Sequence, residues 1–337
     1  RALVLNKALK WEVTTVPKPE VVQGTALVKI HAAAFNRRDF WMTLGLYPGI
    51  KTPSILGSDG SGEVVKVGSN KDKHWLGERV IINPSFNWGN DERVQSKRFK
   101  ILGMPVDGTF AEYIRVPVKQ LHRMPKHLSH TTAAALPLAG VTAYRALFVQ
   151  GGCQINDRVL VTGIGGGVAQ YVAQFASAAG ANVYVTSGSQ EKIERSKKLF
   201  GVKDGANYNE KKWRRKLVQL AGGPFDLIID GAGGKGFNKL LNIAKLGGTI
   251  VSYGATALNP NKLVLPRLFL KQLRIIGSTM GSDRDFENMV KFVVSHKIHP
   301  HLDCVIPISR TGAAHERLKN CEHFGKIVID FSLKASL

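Results

Sequence analysis

The segment VLVTGIGGGVAQ, Val159 to Gln170, sets four glycines between an apolar run and an Ala-rich stretch. It heads a series of apolar runs that alternate with helical patterns. The runs are RVLVTG, ANVYVTSG, GANY, FDLIIDG, GTIVSYG and LRIIGST, with helices such as Val168–Ala179 and Glu191–Phe200 between them. Repeated β–α–β alternation dictates a parallel sheet with helices on both faces. A glycine turn between the first strand and its helix lets a pyrophosphate approach bare backbone, where free N–H groups and the helix dipole favour negative charge.

The literal GxGxxG is absent from this turn, whose usable spacing is Gly163-x-x-Gly166-x-x-Ala169. Gly163, Gly165, Gly166, Gly167 and Val168 are its candidate cofactor contacts. A literal GxGxxG occurs at Gly231–Gly236, but it comes late in the series and reads as a structural loop. The tip of the second strand distinguishes the two dinucleotides. An acidic residue there would bind the ribose hydroxyls of NAD, whereas NADP needs neutral or basic groups for its 2′-phosphate. The sequence shows Thr186, Ser187, Gly188, Ser189 and then Lys192, with Glu191 one step inside the helix. NADPH is the expected cofactor.

The 337 residues exceed what one core usually supports, so two domains are expected. Residues 1–122 read as short β-rich segments punctuated by Gly and Pro; ALVKIHAAAF and GEVVKVG are examples. Ser129 caps a short expected helix, Thr131–Leu136, and a second is expected over Thr142–Val149. Another, Asp285–Ser295, precedes a closing strand, GKIVIDF.

No apolar stretch is long enough to span a bilayer. Three scattered cysteines without a CxxC argue against a disulfide framework and for a reducing compartment. A cytoplasmic location is expected, or a mitochondrial one were a leader removed. Charge is the anomaly: 47 Lys+Arg against 25 Asp+Glu gives +22, with a pI near 10.0. The basic runs RVQSKRFK, EKIERSKK and KKWRRK read as solvated faces. Weak, non-specific nucleic-acid binding is the further expectation, with Trp213 a candidate to stack on a base.

Several ordered segments together resemble the medium-chain dehydrogenase/reductase superfamily, in its zinc-free quinone-oxidoreductase-like branch. They are AFNRRDFWMTLGLYPG, LGSDGSGEVVKVG, GTFAEY, AALPLAGVTAYRAL, the glycine turn, NYNEKKW, GGTIVSYGA and GKIV. The resemblance covers nearly the whole chain. It implies an α/β protein with a GroES-like β domain, residues 1–122 and 284–337, around a Rossmann NADPH-binding domain, residues 123–283.

Zinc relatives hold catalytic metal with Cys, His and Cys, and the corresponding positions are Asn36, Ser58 and Leu138. These cannot ligate Zn²⁺, and no cysteine precedes Cys153 to build a structural site. No metal is expected; the loose cluster His296, His299, His301, Asp303 and Cys304 reads as solvated side chains. Without a Lewis acid, hydride acceptors that are already activated are favoured, such as quinones and α,β-unsaturated carbonyls.

The resemblance makes Asn36, Tyr47 and Thr142 the catalytic candidates. Asn36 would donate to a substrate carbonyl, Tyr47 would donate a proton or stack on a flat acceptor, and Thr142 would lie beside the nicotinamide. Asp39 would tie its loop. Arg37 would contact pyrophosphate, and Tyr208 would pack over the 2′-phosphate with Ser187, Ser189 and Lys192. Gly254, Ala255, Thr279, Met280 and Lys326 would line the cofactor. A homodimer acting on a small electrophilic acceptor is the expected working form. The alternatives are a 2-enoyl thioester reductase, and a non-enzymatic RNA-binding or crystallin-like protein that retains the cofactor fold.

Overall fold

The computed structural model describes residues 1–333. The chain opens with β1 (Ala2–Leu5), β2 (Trp11–Thr14) and the long β3 (Thr25–Ala34), then helix α1 (Arg37–Thr43). Next come β4 (Ser54–Ile55), β5 (Asp59–Val67), β6 (Arg79–Ile82), β7 (Ser85–Phe86), β8 (Lys100–Leu102), β9 (Pro105–Val106), β10 (Tyr113–Pro117) and β11 (Leu121–Arg123). Two helices follow, α2 (His130–Ala134) and α3 (Pro137–Tyr144).

The α/β series is β12 (Arg158–Val161), α4 (Gly167–Ala178), β13 (Asn182–Ser187), α5 (Gln190–Phe200), β14 (Asp204–Asn207), α6 (Trp213–Leu220), β15 (Phe225–Asp230), α7 (Phe237–Ile243), β16 (Ala244–Ser252), α8 (Leu265–Leu270) and β17 (Arg274–Gly277). The chain closes with α9 (Asp283–Ser295), β18 (Leu302–Ile306), α10 (Thr311–Lys319) and β19 (Lys326–Asp330).

These elements form two compact units, Arg1–Ala139 with Gly281–Leu337, and Gly140–Met280. The first extends past the change of pattern after Pro125 because α2 packs on β3, β5 and β19. Its main sheet runs β11-β6-β5-β3-β19-β18, with β10 also on β3. Strand β3 organises it: Thr25–Lys29 pair with β10, and Ala32–Ala34 pair with β19. The buried faces of these strands join Leu3, Leu5, Phe35, Phe40, Phe110, Ile327 and Ile329 in one core.

The second unit has one sheet, β14-β13-β12-β15-β16-β17, parallel throughout. Strand β12 is central and the order reverses between it and β15, which makes the carboxyl end of β12 the topological switch point. Its interior runs are continuous rather than alternating, as strands covered on both faces require. Val159, Leu160 and Val161 are fully buried.

Helix boundaries follow local chemistry. Ser129 caps α2 as expected, and Ser282 caps α9 two residues earlier than the pattern indicated. The helix expected over 142–149 begins at Pro137 instead, because proline is well suited to a first helical position. It continues as a π-helical turn over 145–150. Among the described residues no helix is long and apolar enough to cross a membrane.

Candidate functional site

In the first unit, Asn36 follows the end of β3 by two residues and stands at the N-cap of α1. The amide faces inward: Nδ2 donates to Asp59 Oδ2 at 2.9 Å, and Oδ1 accepts from Lys326 Nζ at 2.7 Å. Lys326 Nζ also lies 2.8 Å from Asp59 Oδ2, and the backbone N–H of Leu138 donates to Asp59 Oδ1 at 2.6 Å. All of this is interior, with Asp59 fully buried and Lys326 4% exposed. The Asn36 amide orientation is therefore fixed by its partners, oxygen to ammonium and nitrogen to carboxylate. One hydrogen of Nδ2 remains to donate elsewhere.

The resemblance aligns Asn36, Ser58 and Leu138 with the zinc ligands of metal-dependent relatives; of these, Asn36 meets the Lys326 ammonium, and Leu138 meets Asp59 through its backbone N–H. Asp59 is an ionisable oxygen donor there, and its oxygens already accept from Lys326, Asn36 and Leu138. Ser58 turns away, donating to the Leu102 carbonyl at 2.7 Å and accepting from Arg38. An amide, a hydroxyl and an aliphatic chain around a neutralised carboxylate do not fit Zn²⁺.

Asp39, the third residue of α1, accepts from the Asn36 backbone N–H at 2.8 Å. Its other oxygen, Oδ1, is buried without a hydrogen-bond partner. Burial pushes its carboxyl up to about 6, against the pull of Arg38 and the Asn36 N–H. Arg38 is a buried hub: Nη1 and Nη2 donate to the Leu102 and Met104 carbonyls at 2.7 and 3.2 Å, and Nε donates to Tyr47 Oη at 3.0 Å. Tyr47, half-buried, thereby keeps its own hydroxyl hydrogen available.

Arg37 reaches the end of α10. Its guanidinium donates to the carbonyl of Leu318 in α10 and lies 3.3 Å from Cys321 Sγ. The orphan carbonyls at a helix C-terminus attract a cation. The histidine-rich segment is likewise dispersed. Asp303 accepts from Nε and Nη2 of Arg317, His301 packs on Phe324 and His296 on Phe292. Among the described residues no group of three or more His, Cys, Asp or Glu could hold a metal.

In the second unit the glycine turn fits a dinucleotide. Gly163 has φ of +67° and a Cβ built on it would meet nothing within 4 Å. Gly166 is the N-cap of α4, and no side chain caps that 12-residue helix. Gly165, Gly167 and Val168 belong to the same turn and first helical residues. The later glycine cluster is the opposite case. A Cβ on Gly231 would lie 2.4 Å from Tyr253, and one on Gly234 would lie 2.5 Å from the Ala257 carbonyl. Asp230 also ties that loop, accepting from the Gly233 N–H at 2.9 Å. Gly231, Gly233 and Gly234 serve packing, whereas Gly163 and Gly166 leave room.

At the tip of β13 the Ser187 hydroxyl accepts from Ser189 N–H at 3.1 Å, and the Ser189 hydroxyl caps α5 through Lys192 N–H at 3.3 Å. Tyr208 is half exposed, and its hydroxyl packs over Gly188, where a Cβ would stand 2.7 Å away. Ser187, Ser189, Lys192 and Tyr208 are thus gathered at one strand end. Glu191 faces solvent, 3.8 Å from Arg195. Thr142, buried in α3, is 3.9 Å from the sulfur of Met280, whose φ is +45°. Gly254, Ala255 and Thr279 follow the ends of β16 and β17, and Ala255 and Thr279 are exposed.

Trp213 is only 5% exposed and packs with Leu217 in the unit's core, so it cannot stack on a base. Asp59 and Arg38 were not singled out from the sequence, although a carboxylate amid the small residues of GSDGSG is a buried-charge signal.

Comparison with known proteins agrees with this architecture. The alcohol dehydrogenase GroES-like domain profile matches residues 22–126, and the zinc-binding dehydrogenase profile matches 167–295. A zinc-type alcohol dehydrogenase-like protein of Leptosphaeria maculans is 36% identical, over 95% of this chain and 94% of its own. An acryloyl-coenzyme A reductase of Sulfurisphaera tokodaii is 28% identical, over 95% and 96%. A solved NAD-dependent alcohol dehydrogenase superposes with a TM-score of 0.91 at 33% identity, covering 98% of this chain and 99% of that one.

Proposed function

Since the chain belongs to the medium-chain dehydrogenase/reductase superfamily and is an oxidoreductase, we propose that it is a zinc-independent, NADPH-dependent reductase of activated acceptors, α,β-unsaturated carbonyls or quinones. The observation that supports this reading is the Lys326 ammonium, lodged between Asp59 and Asn36, the latter at a position the resemblance aligns with a zinc ligand of metal-dependent relatives.

The nicotinamide, when bound, supplies the hydride. Gly163 and Gly166 would hold its pyrophosphate, and Ser187, Ser189, Lys192 and Tyr208 its 2′-phosphate. Thr142 and Met280 would line the nicotinamide end. The spare Nδ2 hydrogen of Asn36 donates to the acceptor's carbonyl oxygen. Lys326, on the amide's oxygen, polarises the amide and strengthens that donor as negative charge grows on the acceptor. The donor is fixed before reaction, so no reorganisation is needed at that moment. Tyr47, held by Arg38, can supply the proton that completes reduction. An unactivated ketone would gain too little from one amide; an enone or quinone delocalises the arriving electron pair itself.

The acryloyl-coenzyme A reductase among the relatives favours one second reading, a 2-enoyl thioester as acceptor. NADPH oxidation measured against quinones, enals and enoyl thioesters, with and without chelator, tests both. Turnover of simple ketones or secondary alcohols that chelator abolishes would overturn the proposal.

A further inference from the structure

Arg38 is 8% exposed, yet every oxygen it bonds is neutral. It donates to Tyr47 Oη at 3.0 Å, to the Leu102 and Met104 carbonyls at 2.7 and 3.2 Å, and to Ser58 Oγ. Asp39 attracts it through space but gives its bonded oxygen to the Asn36 N–H. A guanidinium stripped of water among such acceptors keeps a positive charge that no bonded partner neutralises. The turn after α1 shows what that charge faces. From Leu44 to Gly49 the residues are exposed, apart from Tyr47, which turns inward between Gly45 and Gly49, at φ of +71° and +67°. The guanidinium carbon lies 4.7 Å from the centre of the Tyr47 ring, so the cation covers the ring as well as the oxygen. Tyr47 Oη accepts from Arg38 Nε and donates to nothing among the described residues, which leaves its proton free to go. Through Nη1 the same guanidinium holds Ser58, next to the Asp59 that fixes Asn36.

We propose that Arg38 is the positioning residue of the protonation step: it fixes the Tyr47 hydroxyl and balances the negative charge left on that oxygen once its proton has gone. The inference rests on the reductase reading and deepens it. Hydride reaching the β-carbon of an unsaturated carbonyl sends the C=C electron pair to the carbonyl as an enolate, the charge that Asn36 meets. A C–H bond then forms at the α-carbon as the Tyr47 O–H bond breaks. The bonding pair stays on Oη, and a proton from water restores the phenol. The charge that appears on Oη lies against Arg38 Nε, with no group needing to move. A donor held in one place delivers to one face of the α-carbon. A quinone gains its protons on oxygen, where water can supply them. The Arg38–Tyr47 pair therefore favours α,β-unsaturated carbonyls over quinones as acceptors.

The test is reduction of 2-methylpent-2-enal with NADPH, the product being trapped as its alcohol by borohydride and its configuration read by chiral chromatography. The parent is expected to give one enantiomer in large excess. Tyr47→Phe, which leaves the other three Arg38 bonds intact, should lower kcat on the enal about a hundredfold and give near-racemic product. Arg38→Met should do the same with NADPH affinity within about twofold of the parent, and Arg38→Lys should restore part of both rate and selectivity. Because Arg38→Met also strands the Leu102 and Met104 carbonyls, the anchoring is read separately, by fluorine NMR of the cofactor-free protein with fluorotyrosine in place of Tyr47. That resonance should stand clear of its position in the denatured chain; coincidence with it overturns the proposal. So does a single enantiomer from Tyr47→Phe, a racemic product from the parent, or parent kcat and selectivity in folded Arg38→Met. A parent that turns over quinones but no enal overturns this inference and leaves the reductase reading standing. One that oxidises NADPH with neither overturns both.

Discussion

Lys326 reaches Asp59 across 267 residues of sequence, its ammonium 2.8 Å from a carboxylate that no solvent touches. Removing one partner leaves a charge buried and unmatched, which costs about 3–5 kcal/mol. Lys326→Met is therefore expected to lower unfolding stability by that order in urea titrations. Lys326→Met/Asp59→Asn should lose less than the sum of the single changes, because Asn still accepts from Leu138 N–H.

Asn36 is expected to matter in turnover rather than in cofactor binding. Asn36→Ala should lower kcat by about a hundredfold or more, as loss of one fixed oxyanion donor does, with NADPH affinity unchanged. An unchanged kcat on the best acceptor would remove Asn36 from the reaction.

Cofactor choice rests on the end of β13. NADPH should bind about ten- to a hundredfold more tightly than NADH, and Lys192→Ala should narrow that gap by weakening NADPH. Equal affinities in the parent protein would refute the assignment.

The Asp39 carboxyl links stability to pH. Its folded value of about 6 stands above the ordinary 3.8, so the folded state holds the proton more tightly. Its contribution is full below about pH 4 and is lost as pH rises through about 6, at most some 3 kcal/mol. Arg38, Lys326 and Asp59 are the charges that bear on it. Asp39→Asn should flatten the stability profile between pH 4 and 7 in chemical denaturation, and raise stability at pH 7 relative to the parent.

Metal content follows from the donor set. Elemental analysis is expected to show no stoichiometric zinc, and chelator should leave NADPH oxidation unchanged. About one tightly held zinc per chain would contradict the geometry around Asp59.

Local periodicity made the α/β series legible, because each strand and helix announces itself within a dozen residues. The glycine turn and the Ser187–Lys192 tip were legible for the same reason. Lys326 read as a strand lysine near cofactor, since nothing in GKIV reveals a partner 267 residues away. The helix expected over 142–149 starts at Pro137, because proline suits a first helical position, which the apolar pattern alone does not mark. Trp213 was misread through its charged neighbours. Its spacing of four to Leu217, both buried on one helix face, was the signal that mattered.

The pairing of β3 with β19 also sets an order of assembly. Ribosomes deliver the chain from its N-terminus, and domains generally fold as units when their residues are all present. Residues 140–280 are contiguous and can close their sheet on their own schedule. The other unit must wait: β3 has β5 and β10 beside it, but its Ala32–Ala34 edge lacks β19, and Asp59 its counter-charge, until residues 326–330 emerge. Until then a sheet with one unsatisfied edge is exposed to solvent. A premature stop shortly before Lys326 would therefore yield a formed nucleotide-type sheet joined to a partner unable to finish, a species for chaperones and proteases rather than a slower enzyme.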